Sequence, residues 1–68
     1  MQRLTESEHS FYEFLKNNPD LLNKTIANIA DMAGKTERRV YQLIAALSYK
    51  GYIKNTPEHI TKQKIEIL

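Results

Sequence analysis

The residues best equipped for chemistry in this chain are Lys35, Thr36, Glu37, Arg38, Arg39, Tyr41 and Gln42, crowded into positions 35–42. Arginine's fork of donors fits the edge of guanine, and glutamine's amide fits the edge of adenine. Lysine and arginine also meet phosphates, which position a protein without reading sequence. Val40, Leu43, Ile44 and Leu47 recur at helical spacing through the same stretch. With Val40, Ile44 and Leu47 turned to a core, a rotation of about 100° per residue points Arg38, Gln42 and Ala45 the opposite way. Lys35, Tyr41 and Tyr49 fall alongside, Arg39 on one flank and Glu37 on the other. Arg38 and Gln42 are the expected base readers, and Lys35 and Arg39 the expected phosphate contacts. Tyr41 is expected to be exposed, free to meet a thymine methyl, a phosphate or a partner protein. For each of these residues the plain alternative is a solvated helix face.

Further candidates lie outside this stretch. Thr25 opens an earlier helix, whose first N–H groups suit a phosphate. Lys62 and Lys64 sit near the end of the chain, within reach of a neighbouring backbone. The net charge is only +2, but it is unevenly spread. Residues 1–34 carry three cations and five anions, whereas residues 35–68 carry seven cations and three anions. A polyanion-binding surface would use the second half.

Other chemistries find little purchase. There is no cysteine, which removes disulfides and thiolate metal sites. His9 and His59 stand far apart, outside any ligand-spaced cluster. Gly34 and Gly51 are isolated, so no glycine-rich phosphate loop exists. Ser7, Ser10 and Ser48 lack a nucleophile-elbow context. The sequence therefore predicts neither an enzyme nor a cofactor. No apolar run approaches the roughly 20 residues of a membrane span. The start of the chain has no signal-peptide pattern, so a soluble cytoplasmic chain is expected.

The elements that must position these residues are short. Thr5 and Glu8 form a capping box that opens a helix with Phe11, Phe14 and Leu15 toward a core. Asn18 and Pro19 stop it. Leu21 and Leu22 are expected to anchor the connecting turn. Thr25 caps a second helix bearing Ile26, Ile29, Ala30 and Ala33 on one side. Gly34 ends that helix, because glycine takes the left-handed cap conformation at no steric cost. Thr36 caps the third helix, and Gly51 follows its end. Two helices joined by a short glycine turn form a helix-turn-helix.

After Gly51 the period changes. Tyr52 to Asn55 reads as a strand, Thr56 to His59 as a turn, and Lys64 to Leu68 as a second, alternating strand. A helix through Glu58–Ile67 competes, but Ile65 and Ile67 two apart favour the strand. Tyr49 and Tyr52 read as packing residues at the root of this hairpin. The spacing thus predicts one domain over 1–68, mainly α with a small β-hairpin. Its parts are helices at about 5–18, 25–33 and 36–50 and a wing at about 52–68. At this size a single core supplies only about 3–5 kcal/mol.

In this arrangement the residues resemble winged helix-turn-helix transcription regulators of bacterial type. Leu4, Thr5, Ser7, Glu8, Asn18, Pro19, Thr25, Ile26, Ile29, Ala30, Ala33, Gly34 and Lys50 to Tyr52 look like the DNA-binding domain of phosphosugar-responsive regulators. Lys35, Thr36, Gln42 and Ser48 depart from that pattern. Ile29, Ala30, Ala33, Gly34, Thr36, Val40, Ile44, Leu47, Tyr52 and Ile53 also fit the C-terminal domain of cyclic-AMP-receptor-type regulators without a gap. In that resemblance Glu37, Arg38 and Gln42 take base-reading positions. Glu37 stands where arginine is frequent there, which implies a different target sequence.

The resemblance implies double-stranded DNA as partner, bound by a homodimer on two half-sites. Any small-molecule effector would bind outside this chain. The competing expectations are a protein-interaction or oligomerisation module of the same fold, and a nucleic-acid binder of replication or plasmid maintenance.

Overall fold

Three threonines set where the helices begin. In the computed structural model, which describes residues 3–57 and 63–68, helix α1 spans Glu6–Asn17, α2 Ile26–Ala33 and α3 Glu37–Tyr49. Each is preceded by threonine in extended backbone, whose hydroxyl accepts an N–H three residues on: Glu8, Asn28 and Arg39 respectively. That bond satisfies one of the donors a helix start leaves without a partner. At Thr5 the Glu8 carboxylate answers by accepting the Thr5 N–H at 3.0 Å, completing the expected capping box.

The helix ends are as local. The Asn18 side-chain amide donates to the Phe14 carbonyl at 2.8 Å, covering a free carbonyl where α1 stops. Gly34 and Gly51 hold φ of 68° and 87°. Each begins a left-handed exit in which the next N–H reaches back to a helix carbonyl. Lys35 donates to Ala30, and Tyr52 donates to Leu47, both at 3.0 Å.

Between α1 and α2 the chain makes a 3-10 helix, Pro19–Asn23, where a simple turn is expected from sequence. Proline starts it because its fixed φ suits a first helical position and its missing N–H is no loss there. Leu21 is buried, as an anchor requires, and Leu22 is half-buried. Thr25 makes a single backbone bridge just before α2.

Strands β1 (Ile53–Pro57) and β2 (Gln63–Ile67) form an antiparallel hairpin, with Ile53 opposite Ile67 and Asn55 opposite Ile65. The competing helix over this tail is absent in 63–67. The expected turn at Thr56 and Pro57 is corrected, for both belong to β1. Leu68 donates to the Tyr52 carbonyl, making those two a hydrogen-bonded pair. Counting by twos, the bonded pairs fall at Lys54 and Thr56, and Pro57 occupies a position that owes β2 no donor. The rest of the expected turn, Glu58 and His59, lies outside the described residues.

Over the described residues the architecture is mainly helical, with three α-helices and a two-stranded hairpin. β1 packs on α3 and β2 on the 3-10 helix, so the hairpin closes the end of the helical layer. One buried cluster unites every element, from Phe11 and Leu15 through Ile29, Val40 and Leu47 to Ile53 and Ile65. Among the described residues no helix is long and apolar enough to cross a membrane.

Candidate nucleic-acid interface

Helix α3 divides cleanly along its length. Val40, Leu43, Ile44 and Leu47 are all buried, at 2% exposure or less. Directly opposite, Arg38, Gln42, Ala45 and Tyr49 are all exposed, recurring every three or four residues over three turns. Glu37 and Tyr41 flank this stripe on one side and Arg39 on the other, each exposed. Lys35 and Thr36, in the turn before α3, are exposed as well. The expected site residues of positions 35–42 therefore share one open surface.

Three of them, Thr36, Arg39 and Gln42, are already engaged. The Thr36 hydroxyl accepts the Arg39 N–H at 3.1 Å, so its first duty is the cap. The Arg39 guanidinium reaches the Gln42 carbonyl oxygen at 3.5 Å, the outer limit of a hydrogen bond. The Gln42 carbonyl oxygen keeps its second lone pair open. Arg38 has no hydrogen-bond or ion-pair partner among the described residues.

Thr25 is half-buried and its hydroxyl accepts the Asn28 N–H at 3.2 Å. That bond caps the start of α2 and leaves the hydroxyl proton free to donate. Lys62 lies outside the described residues. Lys64 is exposed on β2. Strand alternation places Lys54, Thr56, Lys64 and Glu66 on one face of the hairpin, and all four are exposed. Lys54 is thus a cation the sequence reading missed. Its signal was the same period of two that identified the strand.

The aromatic expectations divide. Tyr52 packs as expected, edge-on to Tyr12 with centroids 5.4 Å apart. Tyr49 does not, and is 82% exposed. The Gly51 turn carries Tyr52 toward α1 and leaves nothing over Tyr49. Tyr41 is exposed as expected, at 41%.

The far end of α3 is held by charge. The Lys50 ammonium pairs with the Glu8 carboxylate and donates to the Arg3 carbonyl at 3.3 Å. The hydrogen bond from Lys50, followed by that from the Thr5 N–H, holds the Glu8 carboxyl below its usual value. This ties the end of α3 to the start of α1 and fixes how the exposed stripe is aimed. Among the described residues no three His, Asp or Glu side chains group as metal ligands would.

Comparison with known proteins gives no match: no family model, no curated protein and no solved structure matches this chain.

Proposed function

We propose that this chain is a sequence-specific double-stranded DNA-binding module of winged helix-turn-helix type, serving a transcription regulator. In this reading α3 enters the major groove and the hairpin is the wing, touching the backbone beside it. The observation that carries it is the exposed stripe on α3. Arg38 and Gln42 stand one turn apart, opposite a fully buried face, after a tight glycine turn. Lys54 and Lys64 share an exposed face of the hairpin with Glu66, and their two cations support a second contact with phosphates. A module this small covers little DNA, so tight binding calls for two copies on two half-sites.

The test is a fluorescence-anisotropy titration against a random duplex pool and the duplexes selected from it, at two salt concentrations. A selected duplex bound well above the pool, with affinity falling steeply as salt rises, is expected. Arg38→Ala should weaken that duplex by about 1–3 kcal/mol and relax one base position. Equal weakening on every sequence would remove Arg38 as a base reader. No binding at low salt would sink the DNA reading.

One observation favours a second reading, a protein-interaction module. Tyr49, at the far end of the same stripe, is 82% exposed. Such a module would show weak, salt-insensitive nucleic-acid binding together with stable self-association.

A further inference from the structure

Helix α1 packs on α3 and on the 3-10 helix, and α2 is not among its main neighbours. A groove of about 220 Å³ remains between α1 and the end of α2, lined by Ser10, Phe11, Phe14, Ala33 and Lys35. Serine and alanine leave it open because neither side chain reaches across. Its wall is apolar: Phe11 and Phe14 stack at 6.2 Å with 29° between their rings, and Phe14 and Ala33 are only half-buried. Its polar lining is Ser10 and Lys35, both exposed. Neither side chain has a hydrogen-bond or ion-pair partner among the described residues.

We infer that this groove binds a small carboxylate carrying a compact apolar body, its ring or chain against Phe14 and Ala33 and its anion on Lys35 and Ser10. A bare inorganic anion would leave the aromatic wall uncovered, and a hydrocarbon would leave the ammonium unmet. Pockets for drug-sized ligands run about 300–1,000 Å³, so the groove suits a single ring. The ligand would occupy Lys35, the first cation of the candidate DNA face, but its binding does not depend on the DNA reading.

The test is a two-dimensional ¹⁵N–¹H NMR titration of the free chain with phenylacetate, with acetate and benzyl alcohol as probes lacking the body or the charge. Saturable shifts confined to Ser10, Phe14, Ala33 and Lys35 are expected, with both partial probes at least several-fold weaker. Lys35→Gln should weaken phenylacetate about three- to five-fold, the scale of an exposed ion pair. The Lys35 side chain holds no internal bond, so that variant keeps the fold. Ala33→Leu should fill the groove and abolish saturation. Shifts that never saturate would overturn the site. So would shifts spread equally over Arg38, Arg39 and Lys64, or unchanged affinity in Lys35→Gln.

Discussion

The chain turns twice on glycine, and the two turns share one backbone. After Gly34 the Lys35 N–H returns to the Ala30 carbonyl, and after Gly51 the Tyr52 N–H returns to the Leu47 carbonyl. What surrounds them differs. At Gly51 the paired side chains are Tyr52 and Leu47, and the turn is braced by packing on Tyr12 and by Lys50 on Glu8. At Gly34 the corresponding pair is Lys35 and Ala30, and the Lys35 side chain is exposed. One turn is closed by backbone and core together, the other by backbone alone. The lesson is that the cap sets direction, while the residues around it decide whether the turn anchors or presents. The presenting turn is the one that precedes Arg38 and Gln42.

The largest expected effect breaks the anchored turn. Leu47 is fully buried. Leu47→Ala should cost about 2–5 kcal/mol, against about 1 kcal/mol for Ala30→Gly at the matching position of the other turn. Since a domain this small holds only about 3–5 kcal/mol, the first variant should lose most of its stability. Urea titrations of both variants check the contrast, and equal losses would erase it. A smaller effect tests what the turns have in common. A Cβ added at either glycine meets open space, so only the positive φ resists it. Gly34→Ala and Gly51→Ala should therefore each lose about 1–2 kcal/mol. A much greater loss at Gly51 would show that the bracing depends on that φ.

Local chemistry was the legible part of the sequence. Thr5, Thr25 and Thr36 as caps, and Gly34 and Gly51 as stops, act within a few residues of themselves, so pattern alone locates them. The exposed stripe was legible for the same reason, since a helix rotates by a fixed angle. What depends on distant partners was not. Pro57 joins a strand only because its pairing position needs no donor there. The exposure of Tyr49 is not legible, because its cover depends on where the chain goes after Gly51. The groove beside Lys35 exists because α1 leans on α3 rather than on α2, and no spacing within one segment encodes that choice. Lys54 is legible by the same alternation, as the second residue of β1.

The smallest effect separates the two turns without touching their backbones. Hydrogen bonds from Lys50 and from the Thr5 N–H hold the Glu8 carboxyl below its ordinary value of 4.5. Folding therefore favours the charged form. Its contribution is fully present above about pH 4.5 and is lost as pH falls through the lower folded value. Stability should be flat in this respect near neutrality and should decline in acid. Glu8→Gln keeps an oxygen for the Thr5 N–H but removes the charge, so its acid decline should be shallower than that of the natural chain. In an NMR pH titration below 4.5, the Lys50 and Tyr52 amides should move with Glu8 while those of Gly34 and Lys35 stay still. If all four move together, the two turns are coupled through the core. The presenting turn is then steadied by the same ion pair that anchors the other.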